Sequence, residues 1–206
     1  MGFRYVPEDM IRHSDFRSLF EALPPEDQAS VRDLMEGFIR ENPSNRLSPL
    51  TGPGYFMMHW LMADLYASLA IFLVRKRKGD PEPEILADID RCLTKKGRAM
   101  NRKMKGIMKI PGAFQAARLI APKAMTLANG HGFQVSPVPC GKDEFGFNVT
   151  KCPYRSLFAK YQAEALGPVF CRFDDTMGSG FDNLEFIRKG TLCRGDSQCD
   201  FRYKRK

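Results

Sequence analysis

The chain has 206 residues, 43% of them hydrophobic and 27% charged, so it is long and apolar enough to bury a core, and wholesale disorder is excluded. The formal charge of +8 is uneven: from Arg91 to Lys142 eleven basic residues meet no Asp or Glu, giving that stretch +11 and leaving the remainder at −3. A body basic throughout, as in a ribosomal protein, is therefore excluded, while an anionic ligand, a membrane surface or nucleic acid stays open.

Residues 1–25 read as a polar lead-in ending at Pro24-Pro25. A helix follows, with Val31, Leu34, Met35 and Phe38 at helical spacing, and Asn42-Pro43-Ser44 stops it ahead of a loop rich in Pro, Gly and Ser to Gly54. Residues 55–74 form the most apolar stretch and run into Arg75-Lys76-Arg77-Lys78, the pattern of a stop-transfer signal. His59 and Asp64 interrupt it. A central Asp costs about 2.5–3.5 kcal/mol on membrane insertion scales, so a buried core helix is expected and no transmembrane span. A satisfied core histidine is the expected state of His59.

Pro81 and Pro83 open a helix over about 83–110, apolar along Leu86, Ile89, Leu93, Met100 and Met104, which Gly97 and Gly106 weaken toward a kink or break. After Pro111-Gly112 a further helix covers about 113–128, bent near Pro122 and ended by Asn129-Gly130. The periodicity then changes from helical to alternating. Phe133 and Val135, then Phe145, Phe147 and Val149, predict a β-hairpin around Cys140-Gly141-Lys142-Asp143. Pro153 starts a helix with Tyr154, Leu157, Phe158 and Tyr161 on one face; Gly167-Pro168 breaks the chain before a short helix bearing Val169, Phe170, Phe173 and Met177. Two strands, 184–191 and 199–203, close the chain. The expected fold is α+β in a single domain: a helical half, residues 1–129, packed on a β-β-α-α-β-β unit, residues 130–206, with a small antiparallel sheet.

Six cysteines occur with no C-x2-C pair, which argues against a zinc finger or ribbon. No signal peptide is legible, so reduced thiols and a cytoplasmic location are expected. Cys152 is the most informative of them. It ends a strand and precedes Pro153, a first-turn helix residue, so it falls at the helix N-cap. Free N–H groups and the positive end of the helix dipole there suit a thiolate nucleophile. The competing reading is a buried structural thiol. Cys171 and Asp174 share a helix face. Asp174 either orients a base or binds a cationic substrate group, or is solvated at the helix edge, with Asp175 beside it the more solvated of the two. Cys199 shares a strand face with Phe201 and Tyr203, while Cys193 in the preceding connection looks less constrained. Arg188 follows Leu184 and Phe186 on one face, placed either to clamp a substrate carboxylate or to snorkel to water. His13 is expected at the surface. His131, in the turn entering the first hairpin strand, is a candidate base or substrate contact that no spacing demands. A metal site from Cys152, Cys171, Asp174 and Cys199 lacks a close ligand pair, so no metal and no cofactor is expected.

Four pieces, in order, resemble the family of L-2-amino-thiazoline-4-carboxylic acid hydrolases. They are Val149-Thr150-Lys151-Cys152-Pro153-Tyr154, the Cys171-x-x-Asp174 helix, the strand with Arg188, and Gly195 followed by Cys199-Asp200-Phe201-Arg202-Tyr203. They cover about residues 130–204. The resemblance implies hydrolysis of a carbon–nitrogen bond in a small cyclic amidine, the thiazoline ring of a cysteine precursor. On that reading Cys152 attacks the ring carbon, Asp174 handles the proton, and Arg188, Cys171, Cys199 and His131 line the pocket of a carboxylate-bearing small molecule. Two other readings compete: a small-molecule-binding or sensing domain without catalysis, and a basic protein associated with membranes or nucleic acid. Nucleic acid is not expected as a partner, because Phe114 is the single aromatic residue between positions 91 and 123.

Overall fold

Prolines open most of the helices, standing in first turns where a missing N–H costs nothing and the fixed φ is already helical. Pro7 begins α1 (Pro7–His13), Pro25 begins α3 (Pro25–Glu41), Pro53 begins α4 (Pro53–Arg77) and Pro153 begins α7 (Pro153–Lys160). The other helices are α2 (Arg17–Glu21), α5 (Glu82–Met108), α6 (Ala113–Met125) and α8 (Leu166–Gly178). The computed structural model describes residues 6–41, 53–129 and 131–206, without the side chains of residues 53–59. Most of the expected loop at 42–54, the side chain of His59 and Gly130 lie outside those residues.

The architecture is α+β, as expected, with helices first and a four-stranded sheet after them. Strands β1 (Gln134–Pro137), β2 (Glu144–Lys151), β3 (Leu184–Ile187) and β4 (Cys199–Arg205) run in the order β1-β2-β4-β3, every neighbour antiparallel. The register opposes Val149 to Cys199, Phe147 to Phe201 and Phe145 to Tyr203. Period-two alternation thus puts one row of aromatic residues on a single face, with Phe147 and Phe201 stacked at 4.8 Å and Phe145 and Tyr203 at 5.0 Å. One core cluster runs from Met10 through both halves to Phe201.

Four expectations need correction. The polar lead-in is structured: α1 buries Met10 and Ile11, α2 buries Phe20, and Phe16 at the start of α2 is buried with them, because isolated apolar residues in a polar stretch suffice for short helices that dock on a larger core. Helix α5 is unbroken over 27 residues. Gly97 serves packing instead: a Cβ there would lie 3.1 Å from Thr176 Cγ2 on α8, so its missing side chain lets the two helices approach closely. Gly167-Pro168 does not break the chain, since both residues fall within the first turn of α8. Strand β3 ends at Ile187, and Arg188 follows it. Substituting Gly97→Val should push α8 away and cost about 1–3 kcal/mol, read as a lower thermal midpoint.

Asp64, the charge that argued against a membrane span, is almost fully buried in α4 and is satisfied there. Its Oδ1 accepts from the Ser14 hydroxyl and the Asp15 backbone N–H, both at 2.9 Å. Lys96 of α5 brings its ammonium to Asp15 and, at 3.5 Å, to Asp64, and lies 3.3 Å from the centre of the Trp60 ring. Trp60 in turn donates to Asp15 at 3.0 Å. Burial raises the Asp64 carboxyl well above its usual range and lowers Lys96 to about 7. One of the eleven basic residues of the acid-free stretch is therefore spent inside the fold. Among the described residues no helix is long and apolar enough to cross a membrane.

Candidate functional site

The extended backbone of Cys152 (φ −135°, ψ 121°) makes it the N-cap of α7, directly after β2. Its carbonyl accepts from the Ser156 hydroxyl at 2.9 Å, which anchors the first turn. The N-cap geometry is the expected one, but its electrostatic consequence differs. The backbone N–H groups of Tyr154 and Arg155 favour the thiolate, yet burial outweighs them and pushes the Cys152 thiol up to about 12. At rest Cys152 is a thiol.

Register and helix packing bring further thiols to it. Val149, three residues before Cys152, pairs with Cys199 across the sheet. Cys199 accepts the Leu192 backbone N–H at 3.2 Å, and burial still lifts it to about 11. Leu192 opens a 3-10 turn, Leu192–Arg194, that packs on α8 and sets Cys193 against its first turn. A Cβ at position 167 would stand 2.9 Å from Cys193 Sγ, so Gly167 is what admits this sulfur. One turn along α8, Cys171 shares a hydrogen bond with Cys193; this lowers Cys171, with help from Arg188, and raises Cys193. The buried Thr191 hydroxyl, which makes no hydrogen bond among the described residues, lies near enough to Cys171 to pull it weakly in the same direction. Cys152, Cys171, Cys193, Cys199 and Asp174 each influence the ionisation of others in this group, and all six cysteines of the chain are free thiols.

Arg188 does not snorkel. Its side chain is 2% exposed, and its guanidinium donates to Asp174 at 2.9 Å, to Asp175 at 2.6 Å and to the Cys171 carbonyl at 2.7 Å. Phe201 lies beneath it at 5.2 Å. The fork expected to grip a substrate carboxylate is thus largely used by the protein's own α8. Asp175, expected to be merely solvated, is part of that ion pair. Burial raises Asp174 to about 6 although Arg188 opposes the shift. Cys152 and Asp174 are partly exposed, whereas Cys171 and Cys199 are buried.

His131 is placed differently. Its ring is buried and desolvation lowers its pKa, but among the described residues Nδ1 has no hydrogen-bond partner and no hydrogen bond or ion pair joins the ring to the thiols. His13 is at the surface, as expected. Sequence reasoning passed over Cys193 and Thr191. The one available signal, Gly167 at a helix start, acquires meaning only once the 3-10 turn is folded against it. Among the described residues no three His, Cys, Asp or Glu side chains converge in a metal-binding arrangement. Two surface depressions lie elsewhere: one of about 500 Å³ along α5, lined by Arg91, Lys95, Arg98 and Arg102, and one of about 180 Å³ near Phe20.

The fold is thus α+β, with four free thiols and a raised carboxyl gathered where the sheet, the 3-10 turn and the last helix meet. The chain belongs to the L-2-amino-thiazoline-4-carboxylic acid hydrolase family, which matches residues 60–203. The match contains the whole thiol cluster and reaches back through α6 and α5 into α4, so it also includes the entire acid-free stretch. No curated protein and no solved structure matches the chain.

Proposed function

We propose that this protein hydrolyses a carbon–nitrogen bond of a small cyclic amidine, 2-aminothiazoline-4-carboxylate or a related carboxylate-bearing heterocycle, with Cys152 as nucleophile. The observation that carries the reading is that Asp174, a carboxyl raised to about 6, lies close enough for its charge to act on the thiol of the N-cap residue Cys152, inside the segment that matches the family. Above that pH Asp174 is an anion. It attracts the cationic amidine and takes the Cys152 proton as the sulfur adds to the amidine carbon. The proton passes to the leaving nitrogen as its bond to carbon breaks. Water then adds to the same carbon and displaces the sulfur, which recovers its proton, so one water is consumed. The Tyr154 and Arg155 N–H groups stabilise the sulfur while it carries charge. Arg188 holds Asp174 in place and supplies positive charge toward the substrate carboxylate, and Cys171 and Cys199 line the site. Free thiols suit a reducing compartment, and we place the protein in the cytoplasm.

Turnover of 2-aminothiazoline-4-carboxylate should rise with pH through about 6, and Asp174→Asn should remove that limb together with most of kcat. Folding stability responds in the opposite sense. A carboxyl raised in the folded state binds its proton more tightly there, so its contribution is complete below about 3.8 and is lost as pH climbs through about 6. A flat pH–rate profile between 5 and 7, of the kind a base titrating near 6 does not give, would remove Asp174 from the proposal.

A second reading keeps the reaction and exchanges the sulfur. Cys171 is the thiol in this group whose pKa is lowered, so it is the more ready thiolate, although it is buried.

A further inference from the structure

Large apolar side chains left at the surface are unevenly placed. Among the described residues seven stand out, and six of them lie between positions 104 and 127: Met104, Ile107, Ile110, Leu119, Ile120 and Leu127. Ile110, Leu119 and Ile120 are 60–62% exposed, beyond what packing on the protein's own core requires. They belong to the C-terminal turns of α5, the elbow that joins it to α6, and α6 with its following turn. The opposite side of α6 is where its core contacts lie: Phe114 packs with Phe145 at 5.9 Å, and Ala117 and Ala121 lean on the same small cluster. Helix α6 is thus amphipathic with its outer side apolar.

The same segment is the one without acids. Lys103 precedes Ile107 by four residues, and Lys123 follows Leu119 by four and Ile120 by three, so each shares a helix face with exposed apolar side chains. Among the described residues Arg102, Lys103, Arg118 and Lys123 make no ion pair, in contrast to Lys96, which is neutralised inside the fold, and Lys109, which reaches Asp182 at 3.3 Å. Unpaired cations beside exposed Ile and Leu, on helices that carry no carboxylate of their own past residue 91, are the chemistry of an interfacial helix on anionic lipid. Nucleic acid fits less well: the one aromatic side chain of the two helices past residue 91, Phe114, is buried and offers no stacking face.

We propose that the α5–α6 elbow docks this protein peripherally on an anionic lipid bilayer, with Ile110, Leu119 and Ile120 entering the interface and Lys103 and Lys123 meeting the headgroups. The surface is separate from the thiol cluster, and the proposal stands whatever reaction that cluster performs.

Co-sedimentation of the full chain with vesicles tests it. Binding is expected to vesicles of phosphatidylcholine mixed with phosphatidylglycerol, about tenfold or more above vesicles of phosphatidylcholine alone, and to weaken as salt is raised. The double substitution Leu119→Ser/Ile120→Ser should weaken binding about tenfold, and Lys123→Glu should weaken it and flatten the salt dependence. Both variants change exposed side chains and should keep the wild-type thermal midpoint. Failure to bind the mixed vesicles, equal binding to the neutral ones, or full binding by the Ser double variant would each overturn the proposal. So would a dimer in sedimentation velocity that the same double substitution splits, which would make a second copy the occupant. Tight binding to mixed-sequence RNA, retained by the double variant, would likewise reassign the surface.

Discussion

Replacing Cys152 with Ala should lower kcat/KM on 2-aminothiazoline-4-carboxylate by about a thousandfold, equivalent to about 4 kcal/mol of transition-state stabilisation, with little change in thermal midpoint. The asymmetry follows from position. Cys152 is an N-cap whose capping of α7 runs through its backbone carbonyl, so the helix survives loss of the sulfur. Cys171→Ala should lose about tenfold, as expected for a side chain that shapes the site without forming a bond to substrate. The reverse ranking would transfer the nucleophilic role to Cys171, the thiol of this group whose pKa the neighbouring Cys193 and Arg188 lower. Mass spectrometry of the protein trapped with an electrophilic thiazoline analogue would read the same question directly, as a modified peptide containing either Cys152 or Cys171.

The second large effect is on stability. Arg188→Leu should cost about 3 kcal/mol, the lower end for breaking a buried ion pair, because Asp174 and Asp175 keep partial access to water when their partner is lost. Urea unfolding of the variant should show a lower midpoint with an unchanged slope. Arg188→Lys separates structure from substrate binding. A lysine keeps the charge but cannot reach Asp174, Asp175 and the Cys171 carbonyl together. A lysine variant with normal KM and lowered stability would make Arg188 a positioning residue alone. A raised KM at unchanged stability would restore its carboxylate-binding role.

Local signals were enough wherever a residue's neighbours in sequence are also its neighbours in space. Cys152-Pro153 reads as a helix start because the N-cap is a matter of two adjacent residues, and the structure puts the N-cap there. The hairpin and the helix at 153–160 follow from periodicities of two and 3.6 in the same way, and the core helix from an unbroken apolar run that an Asp keeps out of a membrane. The alternating Phe and Val residues of 145–149 and the Cys-Asp-Phe-Arg-Tyr run likewise announce a buried sheet face. The family is legible too, since its four short pieces keep their order along the chain, and the match extends further toward the N-terminus than those pieces alone.

Ionisation was decided elsewhere. The helix N-terminus argues for a thiolate at Cys152, but the tertiary fold removes water from that sulfur, and desolvation is the larger effect. Gly97 and Gly167 look like breaks because sequence shows only their weak helix propensity. Their purpose, room for Thr176 and for Cys193, belongs to elements about 80 and 26 residues away. Asp64 and Lys96 illustrate the same limit, since neither charge is intelligible until α4 and α5 lie side by side with Ser14 and Asp15 across from them.

The opening charge of +8 divides along this line. Sequence alone determined that it sits in one acid-free stretch, because counting residues needs no structure. Only the tertiary structure decided which of those cations are internal and which face outward beside exposed Ile and Leu. That depends on which side of α5 and α6 the core takes, and the core is assembled from residues throughout the chain.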